Sequence, residues 1–108
     1  MTAAEASFLL GPVGALLVVP TAMATLVLAR PSRRAAWGGA ALAAVVAACW
    51  LAYWVNWGWV FDYADALQPV PASLEVRQTR LSVATAVGTV GLALAAGITL
   101  ARTRASAR

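Results

Sequence analysis

Histidine and lysine are both missing from this 108-residue chain, and cysteine occurs once, at Cys49. Each gap removes a class of chemistry. Without histidine there is no bis-histidine haem, no histidine-ligated zinc or chlorophyll, and no histidine triad or general acid–base step. A single cysteine cannot close a disulfide within the chain. Cys49 therefore reads as a small apolar packing residue. Acidic residues are scarce: Glu5, Asp62, Asp65 and Glu75 are all there are. None of these, and no arginine, falls in the middle of an apolar run. Ion-coupled carriers and proton relays usually hold an ionisable side chain at that depth. A self-contained proton-coupled transporter is therefore disfavoured. No catalytic constellation and no cofactor or metal-ligand set is visible, so the chain is not read as an enzyme.

What remains is apolar. Hydrophobic residues make up 62% of the chain and charged residues 11%, against about 25% charged in soluble domains. The mean hydropathy is +0.78. The polar residues are bunched between long apolar runs, and runs of about 18 or more residues read as membrane spans. Three such runs give an all-α integral membrane protein, one domain over residues 1–108, with spans at about 8–29, 36–61 and 81–101.

The first run opens with Thr2 and Glu5 at capping-box spacing, so a helix start near Ala3 is expected. Pro12 and Pro20 lie inside it, and each removes a backbone donor. The Pro20-Thr21 pair makes Pro20 the expected site of a bend. Glu5, the lack of a basic side chain ahead of the run, and the length of the run all argue against a cleaved signal peptide. Pro31 disfavours helix at Arg30 and is expected to end the first span. Asp62, Asp65, Pro69 and Pro71 mark residues 62–80 as a loop, with Ser73 and Glu75 suited to the start of a following helix.

The formal charge is +4. Every basic residue is an arginine at the edge of an apolar run, which suits membrane orientation better than nucleic-acid binding. The loop at 30–35 carries Arg30, Arg33 and Arg34, and the tail carries Arg102, Arg104 and Arg108. By the positive-inside rule both are cytoplasmic. The N-terminus and the 62–80 loop are then outside, giving an N-out/C-in arrangement. Arginine without lysine, in an alanine-rich chain, suggests a GC-rich bacterial genome and hence a bacterial inner membrane.

Two surfaces stand out as candidates for function. On the second span, Trp50, Tyr53, Trp54, Trp57 and Phe61 fall within about 100° of arc. Gly39, Ala43 and Ala47 continue roughly that face toward the other end. This is a candidate partner- or lipid-binding face. Its plainer reading is an aromatic belt, with Trp37 as the anchor about 30 Å from Trp57 at helical rise. Only Trp50, Tyr53 and Trp54 lie deeper than a belt requires. Asn56, the one amide in that run, falls near the boundary, where water is expected to satisfy it. On the third span, Ala84, Gly88, Gly91 and Ala95 form a candidate helix-packing stripe of the small-xxx-small type. Ser82, Thr85 and Thr89 are expected to return their hydroxyls to their own backbone.

These features favour a small accessory or scaffold subunit of a larger membrane complex. Membrane lipid and a membrane-protein partner, or further copies of the chain, would be its neighbours. One alternative is a self-assembling pore or lesion former. In topology alone, the three spans, the N-out/C-in layout and the basic tail resemble three-span phage holins. Another is a lipid- or quinone-binding module centred on the deep aromatic residues.

Overall fold

The computed structural model describes residues 2–29 and 32–107. The turn expected at Arg30-Pro31, and Arg108 of the basic tail, lie outside the described residues. Everything between the links is helical. The helices are α1 (Ala3–Phe8), a π-helical turn (Leu9–Val13), α2 (Ala15–Ala29), α3 (Arg33–Asp65) and α4 (Ala72–Ala107). Two of them, α3 and α4, are long and apolar enough to cross a membrane. A third crossing exists if the bent pair Ala3–Val13 and Ala15–Ala29 counts as one span.

α1 starts at Ala3 on the expected capping box. Glu5 N–H donates to the Thr2 hydroxyl, and Thr2 N–H donates to the Glu5 carboxylate, both at 3.2 Å. The bend, however, is not at Pro20. The axes of Ala3–Val13 and Ala15–Ala29 differ by 44°, and the break lies at Pro12-Val13-Gly14. Pro12 has no N–H to offer the preceding turn. The chain responds with a wider turn, in which Gly14 N–H donates to the Leu9 carbonyl at 2.9 Å, five residues back. α2 then runs through Pro20 as one helix. There the Thr21 hydroxyl donates to the Leu17 carbonyl at 2.6 Å. Both prolines carry the same local signal. The one that bends is the one flanked by glycines and met by a neighbouring helix.

α3 and α4 overrun their apolar segments. At 1.5 Å per residue they are about 50 Å and 54 Å long, against ~30 Å of hydrocarbon. The link between them is residues 66–71 rather than 62–80. Leu74, Glu75, Arg77, Gln78 and Arg80 are good helix formers, and they continue α4 outward past its apolar run. The Pro71 carbonyl accepts from Leu74 and Glu75 N–H at 3.0 and 3.3 Å. The helix thus starts just after Pro71, where a missing N–H costs nothing. Ser73 sits inside the first turn, and the Ser32 hydroxyl caps α3 by accepting from Ala35 N–H.

α3 ends in a Schellman arrangement. Gln68 N–H donates to the Tyr63 carbonyl and Leu67 N–H to the Ala64 carbonyl, both at 3.0 Å, as that motif requires. The residue in the left-handed conformation is Leu67, with φ 57°. Glycine usually fills that position, because a Cβ there costs about 1 kcal/mol or more. Leu67 recovers nothing by packing, since it is 94% exposed.

The three long segments pack through small residues. Ala15 and Ala22 of α2, Ala43 and Val46 of α3, and Leu92 and Ala96 of α4 form the core, with Val19, Leu42 and Trp50 against it. Alanine at the contacts lets helix axes approach closely. The tightest approach is at Gly11. A Cβ there would lie 2.7 Å from the Ala86 nitrogen and 2.8 Å from the Ser82 carbonyl oxygen, so backbone meets backbone. A Cβ at Gly39 would lie 2.5 Å from Leu26 Cδ1, the end of a buried side chain rather than backbone. The outer surface is apolar, with Leu17, Val27, Leu28, Val87 and Leu94 all exposed, which suits lipid rather than water.

Gly11→Ala should destabilise the folded state in detergent by ~1–3 kcal/mol, because the α4 backbone cannot yield. Gly91→Ala, whose Cβ would meet nothing within 4 Å, should be neutral or gain up to about 1 kcal/mol from helix propensity. Thermal melts of the two variants in one detergent separate these signs. Leu67→Gly should raise stability by ~1 kcal/mol by relieving the left-handed strain. An unchanged or lowered midpoint in the same assay would refute that account.

Candidate functional site

The deep aromatic residues of α3 are met from within the chain. Tyr53 is buried, and its ring centroid lies 5.2 Å from that of Trp54 at 83°. Phe8, at the end of α1, joins them at 6.3 Å from Tyr53 and 6.4 Å from Trp54. Trp50 adds an edge contact to Trp54 at 6.4 Å. These centroid distances and tilted geometries are the favourable range for aromatic pairs. Phe8 and its partners form a cluster that fastens the first segment to α3.

Trp50 does more than fill space. Its indole N–H donates to the Pro12 carbonyl at 2.9 Å. The π-helical turn and the bend at Gly14 make that carbonyl available. In hydrocarbon an unpaired backbone carbonyl costs several kcal/mol. A donor from the facing helix removes that cost at the kink. Trp50 thus stabilises the bend, and the bend in turn lets Gly11 reach α4.

The rest of the predicted face divides. Gly39 and Ala43 are buried against neighbouring helices, and Ala47 is half-buried. Trp57 is 39% exposed and pairs with Phe61 at 5.5 Å and 80°, away from the Phe8 cluster. Trp59 and Phe61 are exposed, as is Trp37 near the other end of α3. An outward aromatic group near each end of one helix is the pattern of interfacial anchors. The arc from Trp50 to Phe61 is therefore two surfaces, one turned inward and one outward.

Asn56 differs from expectation. It is 1% exposed, and helix contacts rather than water satisfy its donor. Its side-chain amide donates to the Leu74 carbonyl at 3.1 Å and to Gln78 Oε1 at 2.7 Å. The extension of α4 beyond its apolar run brings those partners opposite Asn56. Its own Oδ1, and Gln78 Nε2, have no partner among the described residues. The clasp is thus half-satisfied, at the neck of the α3–α4 hairpin.

α4 packs with a different face from the one expected. Its buried residues are Ser82, Thr85, Ala86, Thr89, Leu92 and Ala96. Of the small stripe, Gly88 faces Val46, whose Cγ2 would lie 2.8 Å from an added Cβ. Ala84 is exposed, and Gly91 and Ala95 are half-buried. The stripe touches the core along one edge and otherwise looks outward. The hydroxyls divide too. Thr85 donates to the Leu81 carbonyl at 2.7 Å, as expected. Thr89 Oγ1 is buried without a partner.

No protein-family model, curated protein or solved structure matches the chain. Its chemistry has to be judged on its own residues. Among the described residues, no three histidine, cysteine, aspartate or glutamate side chains gather to hold a metal.

Sequence reasoning found Trp50, Tyr53 and Trp54 but missed what they meet. Phe8, Gly11, Pro12 and Gln78 complete the arrangement. The Gly11-Pro12-Val13-Gly14 run is a visible local signal, since two glycines around a proline seldom serve a straight helix. Gln78 gave no such signal while residues 62–80 were read as loop.

The role given to Trp50 separates it from Trp57. Trp50→Phe keeps a ring but strands the Pro12 carbonyl, and should cost ~1–3 kcal/mol of stability. Trp57→Phe should stay within ~0.5 kcal/mol, as surface changes usually do. Parallel unfolding in mixed detergent–SDS micelles measures both. Equal losses would remove the Pro12 bond from the account.

Proposed function

We propose that this chain is a small, non-catalytic, multi-pass membrane protein that serves as an accessory or scaffold subunit of a larger membrane complex. It crosses three times in an N-out/C-in sense, in a bacterial inner membrane. The charges support this orientation. Arg33, Arg34, Arg102 and Arg104 fall at one end of the helices, and Glu5, Asp62, Asp65 and Glu75 at the other, where Arg77 and Arg80 run against the trend but leave that end net acidic.

One observation carries the reading. The line Ala84, Gly91 and Ala95 is not consumed by the chain's own core, which uses Thr85, Thr89, Leu92 and Ala96 instead. A Cβ at Gly91 would meet nothing within 4 Å. Lipid fills such a strip poorly, whereas another helix seats well on it. The partner is a second membrane protein or a further copy of this chain.

Neither alternative draws comparable support. A pore former needs polar residues that reach a lumen between copies. Here Asn56, Ser82, Thr85 and Thr89 are buried within a single chain. A quinone or lipid site over Tyr53 and Trp54 would have to displace Phe8, which packs on both; beside Trp50 and Ala47 a cleft of about 200 Å³ stays open between α2 and α3, below the ~300 Å³ at which ligand sites usually begin.

Affinity-tagged chain, extracted from its source membrane in mild detergent, should bring a membrane-protein partner or a second copy in fixed ratio. Gly91→Leu should reduce that yield at least ~10-fold. Gly38→Leu, at an equally open position, should leave it unchanged. Wild-type chain that emerges alone and monomeric refutes the proposal.

A further inference from the structure

One end of the helices carries charge that nothing in the chain offsets. Arg33 and Arg34 open α3, and Arg102 and Arg104 lie near the end of α4. The packing register brings the two pairs together. Val46 lies against Gly88, and Asn56 reaches Gln78. α3 and α4 are therefore antiparallel, and the same register carries Arg33 to the level of Ala101. Thr99 and Thr103 are half-buried, so α4 is still packed there.

All four arginines are exposed. None of their guanidinium groups makes a hydrogen bond among the described residues. The acidic residues Glu5, Asp62, Asp65 and Glu75 lie toward the opposite end. The helix termini do not close the gap. The N-terminus of α3 is positive and the C-terminus of α4 negative by about the same partial charge. Anions have to come from outside the chain.

Depth identifies those anions. Arg33 and Arg34 come just before the apolar run at 36–61, and Arg102 and Arg104 just after the run at 81–101. At ~1.5 Å per residue all four lie within about 5 Å of the ends of those runs. A bilayer ~40–45 Å thick with ~30 Å of hydrocarbon leaves about 5–7.5 Å on each side for headgroups. Trp37 is 69% exposed. It lies one helical turn from Arg33 and Arg34, on their face, and marks the same interface.

Guanidinium groups at that level meet lipid phosphodiesters before they meet a soluble protein or a nucleic acid. Their planar forks pair bidentately with phosphate. Clusters of this size beside a membrane helix attract anionic lipid. A zwitterionic lipid offers the same phosphate, but its ammonium is repelled by the neighbouring arginines.

We infer that this end of the molecule binds acidic phospholipid, through Arg33 and Arg34 on one helix and Arg102 and Arg104 on the other. Such binding requires no protein partner, and so goes beyond the accessory-subunit reading.

Native mass spectrometry of the full chain in a neutral maltoside detergent tests it. The probes are phosphatidylglycerol and phosphatidylethanolamine with identical acyl chains. The glycerol lipid should be retained at least ~5-fold more, the scale of one arginine's attraction to an anionic surface. Glutamine at all four positions should bring the preference within about twofold. Arg33→Gln with Arg34→Gln, or Arg102→Gln with Arg104→Gln, should each leave an intermediate value. Arg77→Gln with Arg80→Gln removes as much charge as either pair, but from the other end, and should preserve the preference. Circular dichroism identifies any variant that has lost its helices, and the two double variants decide if the fourfold one has. Equal retention of the two lipids by the wild type overturns the inference. So does a preference lost as readily through Arg77→Gln with Arg80→Gln, since net charge alone would then account for it. Displacement of the lipid by free glycerol phosphate, or by a short polyglutamate peptide, at equal concentration would overturn the assignment to lipid.

Discussion

Hydrocarbon offers a backbone no hydrogen bonds, so every carbonyl that a kink releases must find a donor in the protein. The bond from Trp50 to the Pro12 carbonyl meets that demand, and the packing of the first segment follows from it. A bend without a donor would be penalised, and a straight first helix would carry Gly11 along a different line. With the bend in place, the Gly11 backbone lies against Ser82 and Ala86. Phe8 then falls over Tyr53 and Trp54. Trp50 is therefore as much a part of the first helix's geometry as of its own.

The same constraint explains why the core takes up only one face of α4. A core built from Ala15, Ala22, Ala43, Val46, Leu92 and Ala96 draws helices close but buries little apolar area in each contact. Dispersion at short range and a few hydrogen bonds hold the unit together, the terms that dominate wherever apolar helices pack through small residues. Such a core needs only a narrow strip of α4. The neighbouring strip through Ala84, Gly91 and Ala95 stays available. Much of that helix's outward surface is otherwise exposed Val and Leu.

Much of the architecture was legible in the residues. Apolar runs located the helices, the Thr2–Glu5 pair fixed the first start, and the scarcity of polar residues excluded a water-bathed surface. What failed to show was set by contacts between helices. Pro12 and Pro20 each remove one donor; the glycines at 11 and 14 loosen the chain around Pro12, and Trp50, thirty-eight residues away from it, supplies the bond that holds the bend there. Residues 72–80 look like loop because they are polar, yet polarity also marks a helix that has left the hydrocarbon. That misreading hid Gln78 and left Asn56 to water. The aromatic arc on α3 was seen as one surface because angle alone cannot tell an inward turn from an outward one at a flank.

The short link at 66–71 has a consequence for how the molecule comes together. It joins α3 to α4 with little chain to constrain, and the Asn56–Gln78 clasp lies close to that link. Closing such a hairpin costs little entropy, whereas the Gly11 contact with Ala86 closes a far larger loop. The two long helices can thus pair first and present a preformed seat. Leu26 of α2 meets Gly39 of α3 only thirteen residues along the chain, so α2 also closes at little entropic cost. By loop entropy the late-docking piece is the end from Phe8 to Gly11, whose contacts reach Tyr53 and Ala86.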